Sequence, residues 1–158
     1  MVDNEPGVLA RVVGLFSGRG YNIESLSVSE VDSHKFLSRI TIVTSGTKII
    51  IDQIKAQLGK LIPVHNLVDI SELKSFIGKE LILIKLNVKN KSTFDFKKKL
   101  ESIGVEIIFE DGIELIIQFT GSPNEIVKIE KILMPFKIIE QTRSGLVSMA
   151  TGTKYIKK

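Results

Sequence analysis

The chain has no cysteine. That excludes a disulfide framework, thiolate zinc sites and a cysteine nucleophile. A reducing, cytoplasmic setting is the expectation that goes with it. There are two histidines, His34 and His65, far apart in sequence and outside any run of metal-binding residues. Arginine is scarce, at 4 residues against 18 lysines. A surface built to grip phosphate favours arginine for its bidentate reach, so the net charge of +4 does not argue for nucleic-acid binding. No apolar run approaches the ~18–20 residues of a membrane span. Met1 to Pro6 is acidic and lacks the basic and apolar parts of a signal peptide. No serine sits in a nucleophile elbow, and no Gly-rich loop ends in Gly-Lys-Ser or Gly-Lys-Thr. Glu110-Asp111 reads as a turn pair, and Lys97-Lys98-Lys99 as a solvated helix face. No residue is nominated as catalytic or as a metal ligand.

What remains is a composition for folding. The 158 residues are 43% hydrophobic and 25% charged, enough for one ordinary domain or two very small ones. Isoleucine alone supplies 24 positions.

The first half reads helix, strand, strand, helix, strand. Asn4 and Pro6 suit a helix start, with Val8, Leu9, Val12, Val13, Leu15 and Phe16 at helical spacing and Gly18-Arg19-Gly20 as the stop. Strands are predicted over 22–31 and 36–43, with a turn at Asp32 to Lys35. Thr47 offers a cap for a helix carrying Ile50, Ile51, Ile54 and Leu58, and Val64 to Ile70 reads as a strand. This is a ferredoxin-like βαββαβ unit whose first strand is cut to Met1-Val2-Asp3. Either the chain is shortened at its start or another segment pairs there, because an interior strand's backbone groups need partners.

The second half repeats the order. Leu81 to Val88 reads as a strand buried on both faces, followed by a helix opened by Ser92 and Asp95 that carries Phe96, Leu100 and Ile103. A hairpin follows over 105–120, then a helix with a capping box at Ser122-Pro123-Asn124-Glu125, and a strand over 137–142. Ser144 to Lys158 reads as a tail. The fold class is α+β: two tandem ferredoxin-like domains, 1–72 and 73–158, joined around Leu73 to Gly78.

One corner stands out. Asn4-Glu5-Pro6-Gly7-Val8-Leu9 carries a short strand into a helix start. Free helix N–H groups and the helix dipole favour an anion there, and Gly7 lets a ligand approach the backbone. The competing assignment is plain helix capping by Asn4.

These residues, followed by Gly14-Leu15-Phe16-Ser17-Gly18-Arg19-Gly20-Tyr21-Asn22-Ile23-Glu24-Ser25-Leu26, resemble the opening of the small, regulatory subunit of acetolactate synthase. Leu37-Ser38-Arg39-Ile40-Thr41-Ile42, Gln53-Ile54, Gln57-Leu58 and Arg143-Ser144-Gly145-Leu146-Val147 extend the likeness along the chain. The shorter Asn-x-Pro-Gly-x-Leu pattern resembles ACT domains generally.

The resemblance implies a non-catalytic subunit with an N-terminal effector-binding ACT domain and a C-terminal domain of similar topology. It implies a catalytic (large) subunit as partner, a homodimer through the ACT domain, and feedback inhibition by valine. No cofactor is expected in this chain; thiamine diphosphate, magnesium and FAD belong to the catalytic subunit. The implied effector site joins Asn4, Gly7, Val8 and Leu9 to Asn22 and Ile23 of a second protomer. The second half has Asn87-Val88-Lys89-Asn90-Lys91-Ser92 at its matching junction, so no amino-acid site is expected there. Two other classes compete. One is a stand-alone amino-acid sensor acting on another partner. The other is an RNA-binding module, which would need exposed aromatics on strand 37–43 and finds none.

Overall fold

The computed structural model describes residues 1–89 and 94–152. It forms two compact units. The first holds residues 1–77 together with 146–152, and the second holds the described residues of 78–145. The division predicted at 72/73 thus falls a few residues later, and the predicted tail returns to the first unit.

In the first unit, β1 (Val2–Asp3) leads to α1 (Val8–Ser17), β2 (Ser25–Asp32), β3 (Leu37–Val43) and α2 (Lys48–Leu58). The sheet order is β1-β3-β2, all antiparallel. Helix α1 buries Val8, Val12 and Phe16, and α2 buries Ile54 and Leu58. Val12, Phe16, Ile54 and Leu58 pack with Ile40 and Ile42 of β3. Each such apolar side chain contributes roughly 1.5–3 kcal/mol on burial. Thr47 caps α2 as expected, its hydroxyl accepting from Ile50 N–H.

Three local expectations change here. Asn4 does not cap α1: Gly7 occupies the cap position at φ 86°, with no side-chain cap, and Pro6 lies in the turn before the helix. The strand predicted over 64–70 is reduced to a bridge between Val2 and Val64, and Ile70–Glu72 is a 3-10 turn. The cause is the length of β1, since a two-residue strand offers a fourth strand no ladder beyond its own end. Finally, the predicted tail contains β8 (Val147–Ala150). Leu146 N–H donates to Ser25 Oγ (3.0 Å), Arg39 Nη2 to the Ser148 carbonyl (2.6 Å), and Thr151 N–H to the Ser75 carbonyl (3.3 Å).

The second unit runs β4 (Phe76–Asn87, from Gly78), α3 (Phe94–Ser102), β5 (Glu106–Glu110), β6 (Glu114–Gly121), α4 (Pro123–Leu133) and β7 (Lys137–Arg143). Its strand order, β5-β6-β4-β7, is the complete ferredoxin-like arrangement with the first strand inside. Strand β4 is buried on one face only: Ile82, Ile84 and Leu86 point into the core, and Leu81, Leu83 and Lys85 stay partly exposed. The two-faced burial expected for it fails because Leu100 of α3 and Ile126, Ile129 and Leu133 of α4 fill that same core.

The capping box of α4 is present. Ser122 N–H donates to Glu125 Oε2 (2.6 Å), and Ser122 Oγ accepts from Glu125 N–H. The Ser122 N–H and hydroxyl, with Lys79 nearby, lower the Glu125 carboxyl to about 2. Glu80, buried, takes two donors from Arg143 (3.0 and 2.5 Å). The predicted Ser92 start of α3 lies outside the described residues.

Candidate functional site

The strand–turn–helix corner is built by β1, β3 and α1. Asn4 N–H donates to the Phe36 carbonyl (2.6 Å), which holds the residue against the start of β3. The Asn4 side-chain carbonyl accepts from Ser38 Oγ (3.0 Å). Ser38 is buried at 4% exposure, and it is the residue that sequence reasoning missed. Its signal is a small polar group on the strand face that otherwise carries Ile40 and Ile42. One lone pair of the Asn4 carbonyl remains for a ligand donor.

Gly7 turns the chain in the left-handed region, and an added Cβ there would meet nothing within 4 Å. The turn aims helix N–H groups outward. Val8 N–H is directed back to the Glu5 carbonyl (3.3 Å), and Arg11 N–H to the Gly7 carbonyl (3.0 Å). The Gly7, Leu9 and Ala10 N–H groups find no acceptor among the described residues. About half a positive charge resides at such a helix end. Val8 is buried, whereas Leu9 is 41% exposed and offers an apolar wall beside the donors.

Asn22 and Ile23 lie elsewhere. The Asn22 carbonyl accepts from Thr44 Oγ1 (2.7 Å), just past the end of β3, and Ile23 packs on the α1–α2 core. Asn4 sits at the Leu37 end of that strand. Seven residues of β3 separate the two ends, about 20 Å. One chain therefore brings Asn4, Gly7, Val8 and Leu9 together but leaves Asn22 and Ile23 apart from them.

At the matching junction of the second unit, Val88 is buried and Lys89 N–H donates to Asn87 Oδ1 (3.0 Å). Residues 90–93 of that junction lie outside the described set. Among the described residues, no group of three or more His, Asp or Glu side chains is placed to hold a metal ion. No helix among them is long and apolar enough to cross a membrane.

The ferredoxin-like order of the first unit is that of the ACT class of domain, and comparison agrees. Residues 1–66 match the AHAS small subunit-like ACT domain, and residues 79–152 match the family described as the small subunit of acetolactate synthase. The acetolactate synthase small subunit of Buchnera aphidicola is 37% identical over 153 residues, covering 96% of each chain. The isozyme 3 small subunit of Escherichia coli is 34% identical over 158 residues, 99% of this chain and 96% of that one. The solved small subunit of Thermotoga maritima superposes with a TM-score of 0.84 at 29% identity, covering 97% of this chain and 94% of its own. The chain belongs to the acetolactate synthase small-subunit family.

Proposed function

We propose that this chain acts as the regulatory partner of an acetolactate synthase catalytic subunit, raises that subunit's activity, and carries valine feedback at the corner of Asn4, Gly7, Val8 and Leu9. The observation that carries the effector reading is the set of outward N–H groups at Gly7, Leu9 and Ala10 beside an anchored Asn4 amide. The free N–H groups would take the valine carboxylate, the Asn4 carbonyl would accept from its ammonium, and Leu9 would face its isopropyl group.

The distance of about 20 Å to Asn22 and Ile23 supports a site completed by a second copy of the ACT domain. Binding then stabilises one packing of the homodimer over others, which is how a ligand shifts a distant activity. Burial of the isopropyl group (roughly 1.5–3 kcal/mol) and charge-assisted hydrogen bonds, set against ordering costs, give a dissociation constant on the order of 10–1000 μM. Thiamine diphosphate, magnesium and FAD are assigned to the catalytic subunit, and the setting is cytoplasmic.

The test is acetolactate formation from pyruvate by the cognate catalytic subunit, with this chain added and then with valine. Stimulation reversed by valine, and valine resistance in an Asn4→Ala variant that still stimulates, is the expected result. Absence of stimulation by the folded chain refutes the regulatory role. Stimulation that valine leaves untouched refutes the corner.

A further inference from the structure

The sheet of the first unit has one polar face. Ile40 and Ile42 pack toward the helices, with Val28 and Leu26 opposite them across the ladder. The alternation of side chains along a strand puts Ser25, Ser27 and Ser29 of β2 on the other face, opposite Val43, Thr41 and Arg39 of β3. Small hydroxyl side chains let a further stretch of backbone lie close and offer it both donors and acceptors.

Residues 146–151 use that face as a strap. Leu146 N–H donates to Ser25 Oγ (3.0 Å), and Arg39 Nη2 donates to the Ser148 carbonyl (2.6 Å). At the other end, Thr151 N–H (3.3 Å) and the Thr151 hydroxyl (3.2 Å) both donate to the Ser75 carbonyl. Leu146 and Ser148 are half-buried, whereas Val147 and Met149 are exposed, so the strap rests on the unit by one side only. Gly145 (φ 78°) and Gly152 (φ 76°) bound it, and joints of this kind absorb a change in chain direction. A segment with few buried apolar contacts between two such joints opens at the low end of local stability. The strap therefore has a docked and a released arrangement.

Its first anchor adjoins the second half of the effector site. Asn22 and Ile23 stand just before Ser25 in the chain. The Asn22 carbonyl accepts from Thr44 Oγ1 (2.7 Å), Glu24 N–H donates to the Val43 carbonyl (2.9 Å), and Ser25 pairs with Val43. Residues 22–25 are thus one run tied to the end of β3, and whatever fixes Asn22 also fixes the Ser25 hydroxyl.

We propose that Ser25 and Arg39 are positioning residues that carry effector occupancy to the strap: valine held at Asn22 and Ile23 favours the docked 146–151 segment over the released one. This rests on the valine reading above. Leu146 is the residue at which the chain re-enters the first unit, so occupancy is read out there. Linkage makes the coupling reciprocal: the factor by which valine favours docking is the factor by which docking tightens valine binding.

The test follows amide exchange of the full chain by NMR with and without valine, and valine affinity by calorimetry. Saturating valine should slow exchange of the Leu146 N–H about fivefold or more. Ser25→Ala and Arg39→Met should each weaken valine binding by up to that same factor, and Ser25→Thr, which keeps the hydroxyl, should retain both the affinity and the slowed exchange. A Ser25→Ala chain whose strap exchanges freely yet binds valine as the parent does overturns the proposal. Valine that shifts the Gly7 and Leu9 amides but leaves Leu146 exchange unchanged overturns it alone. Valine that moves neither overturns the effector reading, and this proposal with it.

Discussion

Replacing Gly7 and Gly14 by alanine, one at a time, makes a sharp test because both glycines stand in open space. An added Cβ meets nothing within 4 Å at either position. Contact energies are therefore absent from the comparison, and backbone conformation decides the outcome. Gly7 has φ 86°, where an L side chain costs roughly 1–2 kcal/mol. Gly14 lies inside α1 with helical neighbours on both sides, where alanine gains roughly 0.5–1 kcal/mol over glycine. The same methyl group should destabilise at one site and stabilise at the other, a spread of about 2 kcal/mol. Urea unfolding followed by amide exchange of α1 residues reads the first unit directly. At about 2–4 °C per kcal/mol for a chain this long, melting shifts of opposite sign accompany it. Equal signs, or a Gly7→Ala protein as stable as the parent, would refute the assignment of a left-handed turn that only glycine takes without cost at the start of α1. Valine response gives a second reading, since Gly7→Ala also disturbs the N–H groups at the helix start and should weaken it, while Gly14→Ala should leave it intact.

Two further predictions concern the second unit. Arg143→Gln strips the buried Glu80 carboxylate of its bidentate partner and should cost about 3–5 kcal/mol at neutral pH by urea unfolding. The double Glu80→Met, Arg143→Met variant should recover most of that loss, and a single variant within about 1 kcal/mol of the parent contradicts the reasoning. The Glu125 carboxyl is lowered from 4.5 to about 2 in the folded chain. Its contribution is therefore full above pH 4.5 and disappears as pH falls toward 2. Glu125→Gln should flatten the acid limb of the stability curve in that window, and an unchanged acid limb would show the capping box to be electrostatically silent.

What the sequence discloses depends on the range of the interaction. The caps at Thr47 and Ser122 were legible because donor and acceptor lie three residues apart. The second unit was legible as a ferredoxin-like order because every strand has its neighbour within the repeat. Val64 to Ile70 carries a strand's apolar residues yet forms one bridge, because its partner is the two-residue β1 at the other end of the unit. Val147 to Ala150 read as tail, since its companions Ser25 and Arg39 lie more than a hundred residues away. At the site, Gly7 and Asn4 were picked out by type and spacing. Ser38, which orients Asn4, is visible only once β3 is laid beside β1. Asn22 read as the start of a strand that begins at Ser25, and its place past the far end of β3 follows from the hairpin.

The first unit is discontinuous, and this bears on how the protein is made. The chain leaves it after Ile77 and rejoins it only at Leu146. During synthesis, at about 5–20 residues per second, the residues between those points take roughly 3–14 seconds to emerge. For that interval Ser25 and Arg39 await the segment that later engages them. The Gly78–Gly145 unit is contiguous and can close as soon as it clears the ribosome. The unit begun first in translation is thus the last to receive the whole of its chain.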